Sequence, residues 1–178
     1  RRCAEPFRVL FAVVCAMLLG QRAVADPPEG SIPGLMAFWS NAVSHATRLG
    51  EVDWSRYDTV SVVTEVNWPS TNDPFYPGGP TDSFAVRLVG SIEIPETGVW
   101  TIGLSSDAGA RLYIDGVVVI DDDANHSFRR QNTPIVLTAG SHSIEIRYLE
   151  TNYSQGLVLD WNGPGARGRA PIPASAFT

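Results

Sequence analysis

The chain has 178 residues, with 13 arginines, no lysine and 19 acidic residues, and its formal net charge at pH 7 is −6. An acidic surface repels nucleic acid and anionic lipid headgroups, so the composition argues against nucleic acid as a partner. The length corresponds to about one domain and is sufficient to bury a hydrophobic core.

The first predicted element is a secretory signal peptide over residues 1–25. Arginines precede an apolar run over residues 9–19, and the small residues Ala23 and Ala25 suit signal peptidase. The run is shorter than the roughly 20 residues that cross a bilayer, although a buried or membrane-anchoring helix is the alternative. We expect cleavage after Ala25, a secreted or cell-surface protein, and no stable membrane insertion of the mature chain. Both cysteines lie in this segment, so the mature chain has no disulfide.

After a short leader over residues 26–33, alternating apolar and polar residues predict β-strands as far as residue 162. The pattern is longest over residues 84–94. Further on, Asp115-Gly116 is an acid–glycine pair typical of a type I′ hairpin. Seven or more short strands, with no amphipathic helix longer than about two turns, predict an all-β protein built as an antiparallel sandwich or barrel.

Three stretches do not fit the strand pattern. Residues 53–57 are the best candidate for a short helix. Residues 67–82, rich in Pro, Gly, Asn and Asp, are predicted to form a long loop. Residues 163–178 form a Gly/Pro-rich tail that is either a linker or a last extended strand.

The stretch GVWTIGLSSDAGARLYIDGVVVIDDD, followed by IVLTAGSHSIEIRYLE and GLVLDW, resembles the PA-14 domain family. The resemblance covers residues 34–162, and several spaced motifs occur in the family's order. It implies an antiparallel β-sandwich similar to carbohydrate-binding modules, of a kind found in secreted glycosidases, adhesins, proteases and toxins.

The resemblance also implies a ligand site. In the adhesin branch of the family, two neighbouring acids after the serines hold a calcium ion that binds sugar hydroxyls, and a later asparagine assists. Here Asp107 is followed by Ala108, and Asn152 is suitably placed in a later loop. We therefore expect Asp107 and Asn152 to lie at one end of the sandwich as sugar or metal ligands. Because Ala108 replaces an acid, calcium binding should be weak or absent. The alternative is that Asp107 only caps its turn.

Exposed aromatic rings are a second route to sugar, because they stack on the apolar faces of pyranoses. Trp68, Phe75 and Tyr76 in the predicted long loop, and Tyr153 beside Asn152, are the stacking candidates. The alternative is that each ring packs onto the edge of the sandwich.

Other chemistry is weakly indicated. Asp121, Asp123 and Asn125 have the spacing of the first calcium-loop ligands, but His126 stands where such a loop needs glycine. Gly-x-Ser-x-Gly and His-Glu-x-x-His are absent from the sequence, so we predict no enzyme activity.

The sequence therefore predicts a secreted, non-catalytic carbohydrate-binding module that acts in adhesion or polysaccharide targeting, with glycans or cell-surface polysaccharide as partners. Two alternatives remain open. The first is a structural or protein-interaction module of an envelope or matrix assembly. The second is the accessory domain of a larger secreted enzyme.

Overall fold

The computed structural model describes residues 33–178 except residues 42 and 167, and these residues form two antiparallel β-sheets packed face to face. The predicted all-β sandwich is therefore confirmed. The predicted signal peptide, and the leader up to residue 32, lie outside the described residues. Within residues 33–178, apart from those two gaps, no helix is both long and apolar enough to cross a membrane.

The described residues include eleven strands, and the longest connections between them follow β1 and β3. In chain order they are β1 (Leu35–Ser40), β2 (Thr59–Val63), β3 (Asn67–Thr71), β4 (Phe84–Ile94), β5 (Gly98–Ser106), β6 (Gly109–Ile114), β7 (Val117–Asp122), β8 (Arg129–Leu137), β9 (Gly140–Glu150), β10 (Gln155–Asn162) and β11 (Ala170–Pro171). The larger sheet has the order β2-β1-β4-β9-β6-β7. The smaller has the order β11-β10-β5-β8, and β3 also pairs with β10.

The long strands β4 and β9 form the centre of the larger sheet. Phe84 pairs with Glu150 at one end of this ladder, and Ile94 pairs with Gly140 at the other. Apolar residues that alternate along β4, such as Val86 and Leu88, are fully buried between the sheets. The period-2 pattern therefore predicted the strand and its buried face correctly.

The hairpin between β6 and β7 turns at Asp115-Gly116, as predicted. Both residues have positive φ angles, 50° and 74°, which is the conformation that a type I′ turn requires. The β7 strand then runs back along β6 as far as Asp122.

Two sequence-based predictions are wrong. Residues 53–57 form turns, because the Asp53 carboxylate accepts hydrogen bonds from the backbone and hydroxyl of Ser55 and so competes with a helix. One short 3₁₀ helix lies earlier, at Leu49–Glu51, and a second lies near the C-terminus, at Ala174–Ala176. Residues 67–82 are not loop throughout, because the first of them form β3 on the outside of β10. Pro69 is tolerated in β3 because an edge strand leaves some N–H groups unpaired.

The C-terminal segment is part of the sandwich. The short strand β11 pairs with β10, and the Phe177 ring is fully buried in the core. Thr178 exchanges two backbone hydrogen bonds with Ser91, of 2.8 and 3.1 Å. A β-carbon at Gly90 would lie 3.2 Å from the Thr178 carbonyl oxygen and 3.5 Å from that of Gly34. Gly90 therefore lets these two parts of the chain lie next to each other.

The strand directions define two ends of the sandwich. At one end β4 begins and β9 finishes; we call it the loop end, and it includes residues 43–58, 72–83, 107–108, 123–128 and 151–154. At the other end lies the β6–β7 turn, and we call it the hairpin end.

Candidate functional site

A cleft of about 490 Å³ opens at the loop end. Its walls come from four separate parts of the chain, namely β3, the β5–β6 turn, the loop before β8 and the loop between β9 and β10. The lining residues are Ser70, Asp107, Ala108, Asn125, His126, Ser127, Phe128, Asn152, Tyr153 and Ser154. Asp107, Asn152 and Tyr153, which the sequence analysis selected, therefore line one cleft.

Asp107 occupies the turn that passes from the smaller sheet to the larger one. Its backbone N–H donates to the Gly156 carbonyl at 3.0 Å, and its own carbonyl accepts from the Tyr148 hydroxyl at 2.9 Å. The carboxylate is half-buried, and its Oδ2 accepts from the Ser70 hydroxyl at 2.8 Å. Its Oδ1 forms no hydrogen bond within the part of the chain that the structure describes, so it keeps its capacity to bind a ligand.

Ala108 decides how well this turn suits a cation. Its methyl group is buried, and its φ of 104° is a strained conformation for any residue other than glycine. The turn therefore offers one carboxylate, whereas calcium takes 6 to 8 oxygen ligands. Among the described residues, no group of three or more His, Cys, Asp or Glu side chains is placed to hold a metal ion. These donors fit calcium poorly.

Asn152 is held by a residue that the sequence analysis missed. Its backbone N–H donates to Glu150 Oε1 at 3.0 Å, and the Glu150 side chain is completely buried. Burial raises the pKa of Glu150 to about 8, and the Asp107 carboxylate acts in the same direction, while hydrogen bonds from Tyr148 and Asn152 oppose the rise. At neutral pH this carboxyl is mostly protonated.

Tyr148 connects Glu150 to the Asp107 turn. Its hydroxyl contacts Glu150 Oε2 and the Asp107 carbonyl, and it accepts from the Gly156 N–H at 3.3 Å. Burial, followed by the nearby Glu150 carboxyl, raises the pKa of Tyr148, so the phenol keeps its proton. When Glu150 is protonated, its O–H donates to the Tyr148 oxygen, and Tyr148 donates to Asp107. Every polar hydrogen in this group then has one acceptor.

The four aromatic candidates have different surroundings. Tyr153 is 85% exposed and has a φ of 77°. Trp68 instead stacks on the buried Phe75 ring, with centroids 4.6 Å apart, and Tyr76 packs 4.6 Å from Trp39 and donates to Asn41. Trp68, Phe75 and Tyr76 therefore take the packed alternative, and Trp68 and Tyr76 do not line the cleft.

Several cleft residues lay outside the predicted site, and Phe128 and Asn125 are two of them. The half-exposed Phe128 ring lies directly over Gly156, where a β-carbon would be 2.7 Å from it. Asn125 is exposed at the cleft wall, and the sequence spacing suggested it as part of a calcium loop. The sequence spacing does not predict that the loop before β8 approaches the loop at Asn152, because strands from different sheets bring the two loops together.

The predicted calcium-loop acids are already engaged. Asp121 pairs with Arg111 at 2.9 Å, and Asp123 accepts from the Leu49 backbone at 2.8 Å. Asp122 is buried and pairs with Arg129. His126 Nε2 lies 3.0 Å from Asp122 as well, but off the line of a hydrogen bond. These acids therefore fix the loop before β8 and do not converge on a cation.

Comparisons with known proteins agree with this fold. The model of the PA14 domain family matches residues 33–175. The anti-sigma-I factor RsgI3 of Acetivibrio thermocellus is 28% identical over 95 residues, which is 53% of this chain and 15% of that protein, so this chain spans a small part of that relative's length.

Two solved structures share the architecture. The PA14 sugar-binding domain from an RTX adhesin has a TM-score of 0.70 at 15% identity, and the match covers 83% of this chain and 99% of that one. The A domain of epithelial adhesin 9 from Candida glabrata, in complex with Galβ1-3GlcNAc, has a TM-score of 0.66 at 14% identity, and the match covers 85% of this chain and 90% of that one. At these identities the similarity concerns the fold. The chain belongs to the PA14 domain family, as the sequence motifs indicated.

Proposed function

We propose that this PA14 domain is a secreted, non-catalytic glycan-binding module that acts in adhesion or polysaccharide targeting, and that the loop-end cleft is its sugar site. One observation carries the proposal: the cleft places the half-buried carboxylate of Asp107 and the amide of Asn152 beside the exposed ring of Tyr153. The sugar-binding adhesin domains of the same fold support it.

The residue types in the cleft suit a sugar. Carboxylate and amide groups of Asp107, Asn125 and Asn152 accept and donate hydrogen bonds to hydroxyls, and the Tyr153 ring stacks on a pyranose C–H face. The positive φ of Tyr153 supports this role, because a strained residue at an exposed loop tip is typical of functional sites.

Charge narrows the class of ligand. The cleft lining contains one carboxylate, Asp107, and no arginine or lysine. The nearby guanidinium groups of Arg129 and Arg130 pair with Asp122 and Asp160. We therefore propose neutral glycans as ligands, because an acidic sugar would meet the Asp107 charge without a compensating cation.

Calcium binding by the domain is tested in a separate experiment. We expect weak or absent calcium binding by the native domain, stronger binding after Ala108→Asp, and none after Asp107→Asn. Calorimetric titration of the three forms measures this. Equal calcium affinity in all three would show that this turn is not a metal site.

The experiment for sugar binding uses Galβ1-3GlcNAc and Galβ1-4GlcNAc as first probes, since adhesin domains of this fold are known in complex with them. A neutral and acidic glycan array follows, with and without chelator. Asp107→Asn and Tyr153→Ala should each lower affinity about tenfold or more, whereas Tyr153→Phe, which keeps the ring, should not. Asp82→Asn, an exposed acid elsewhere at the loop end, is the matched control. Absence of any glycan signal would contradict the proposal.

A protein-interaction role is the second candidate, and the outer face of β1 and β2 favours it. Met36, Val60 and Val62 are exposed there on neighbouring strands, and β2 is an edge strand. Binding to a protein partner that Val60→Ser weakens, together with a silent glycan array, would favour this candidate. The accessory domain of a larger enzyme would use the same sugar cleft within a longer chain.

A further inference from the structure

We infer that Tyr148 and Glu150 are positioning residues of the proposed sugar site, and that this buried pair fixes the Asp107 turn relative to the Asn152 loop. The consequence for binding rests on the proposed function. The consequence for the ligand-free protein rests on the contacts alone.

The first contact group is centred on one oxygen atom. The Tyr148 hydroxyl lies 2.9 Å from the Asp107 carbonyl oxygen and 3.3 Å from the Gly156 nitrogen, and it also contacts Glu150 Oε2. The Tyr148 ring is fully buried between Phe75 and Phe84. A rigid ring therefore holds a hydroxyl at the point where the β5–β6 turn meets the start of β10.

The second contact group continues from Glu150 into the other loop. Glu150 Oε1 accepts from the Asn152 backbone N–H at 3.0 Å. On the far side of the loop, Ser154 donates to Asn72 at 2.9 Å, and the Gln155 side chain donates to the Asp73 carbonyl. The loop is thus anchored on both sides of its tip, and Tyr153 projects between the anchors into solvent.

Packing alone does not account for Glu150. Its partner across the β4–β9 ladder is the apolar Phe84, and the polar groups that act on it are Tyr148, Asp107 and the backbone of residues 151–152. A buried carboxyl without a cationic partner lowers stability, and an apolar residue would suit the end of this strand better. A fully satisfied buried network, however, restricts the structure to one arrangement.

That restriction matters at this place because the proposed ligand groups belong to different loops. A sugar that bonds to both Asp107 and Asn152 needs their relative position held to about 0.5 Å. Through Tyr148 and Glu150, the carbonyl of one ligand residue is joined to the N–H of the other by side chains that are not in the cleft lining.

The test compares four variants of the full chain. Tyr148→Phe removes only the hydroxyl, and Glu150→Met keeps side-chain length but removes both hydrogen bonds. Glu150→Gln keeps a donor for Tyr148 and an acceptor for Asn152, so it is the conservative rescue. Tyr113→Phe removes a hydroxyl from a tyrosine on β6, outside the cleft, and is the matched control. Amide hydrogen exchange without ligand, and calorimetry with Galβ1-3GlcNAc, are the measurements.

We expect Tyr148→Phe and Glu150→Met to speed exchange at residues 107–109 and 151–156 by about tenfold or more, while amides at the centre of β4 and β9 keep nearly native protection. Sugar affinity should fall by a similar factor. Glu150→Gln and Tyr113→Phe should remain within about twofold of the native protein in both measurements.

Unchanged exchange in both loops, or a uniform increase over the whole sandwich, would overturn the inference, because the second result is what a general loss of stability produces. A native protein that binds no glycan contradicts the proposed function, and the exchange measurement still decides whether the pair positions the loops.

Discussion

Two aspartates at the opposite ends of β6 stand in tight turns but are used differently. At the hairpin end, Asp115 accepts from the Ser143 N–H through Oδ1 at 3.0 Å, and its Oδ2 pairs with the His142 ring at 2.6 Å. At the loop end, Asp107 accepts from Ser70 through Oδ2. Both oxygens of the Asp115 carboxylate thus bind groups at the hairpin end, whereas Asp107 Oδ1 has no hydrogen-bond partner among the described residues and lies in a cleft.

The difference distinguishes an acid whose carboxylate stabilises its own turn from one whose carboxylate is available for the proposed ligand. Asp115 receives its partners from the adjacent strand of the same sheet, so its carboxylate stabilises the hairpin. Asp107 is held mainly through its backbone, by Tyr148 and Gly156, and this leaves the carboxylate for other use. A turn that is fixed by its main chain can present a side chain to a ligand.

The largest expected effect concerns the buried carboxyl behind the Asp107 turn. Because the pKa of Glu150 is raised from 4.5 to about 8, the folded chain keeps a proton that the unfolded chain releases. The stabilisation by this bound proton is fully present below about pH 4.5 and is lost as pH rises through about 8. The free energy of unfolding should therefore fall by an amount on the order of a few kcal/mol over this range. Urea unfolding followed by tryptophan fluorescence measures it. The curve for Glu150→Gln should lack this fall, and parallel curves would contradict the assignment.

The next effect compares the two aspartates directly. Asp115→Ala removes both carboxylate contacts and should lower the free energy of unfolding by about 1–2 kcal/mol. Asp107→Ala removes one contact, to Ser70, and should lower it by less than about 1 kcal/mol. Chemical denaturation of both variants provides the measurement. Equal losses would mean that Asp107 is as structural as Asp115.

The third prediction compares backbone strain in the two turns. Ala108→Gly should stabilise the protein by about 1 kcal/mol, because it relieves a φ of 104°. Gly116→Ala should destabilise it by a similar amount, because alanine is strained at a φ of 74°. No atom lies within 4 Å of the added β-carbon, so a steric clash does not contribute. Thermal unfolding of the pair tests the opposite signs, and a loss of stability in Ala108→Gly would show that the methyl group is needed for packing.

The smallest effect lies at the hairpin end. The hydrogen bond to Asp115 raises the pKa of His142, and the same contact lowers the pKa of Asp115. The stabilisation by protonated His142 is present below pH 6.5 and is lost as pH rises through the raised pKa, and it should be below about 1 kcal/mol because Asp115 is half-exposed. Proton NMR titration of the ring measures the shift. Asp115→Asn should bring the pKa of His142 back toward 6.5, and no change would argue against the pairing.

Local sequence patterns predicted the parts of the fold that depend on neighbouring residues. The alternation along β4 and the turn at Asp115-Gly116 follow from strand periodicity and turn chemistry. The β3 strand could not be predicted this way, because Pro69 and its polar neighbours are acceptable only beside β10. Phe177 was missed for a similar reason, since only the assembled sandwich offers it a place beside Ile92.

In the site too, sequence motifs predicted some residues, whereas others depend on tertiary packing. The family motifs selected Asp107 and Asn152, the search for stacking rings selected Tyr153, and the structure brings these three to one cleft. Trp68 and Tyr76 were chosen for their polar neighbours, but aromatic packing with Phe75 and Trp39 removes them from it. Glu150 has no sequence signal, because an acid at the end of a strand normally faces solvent.

The contact of Thr178 with Ser91, beside Gly34, has a mechanical consequence. Tension applied between Gly34 and Thr178 acts on neighbouring atoms far from the Asp107 turn, so it does not pull the cleft open. Tension between a ligand held in the proposed site and Thr178 would run along β4 and β9. It then loads their ladder of hydrogen bonds in shear, where the bonds share the force and must break together.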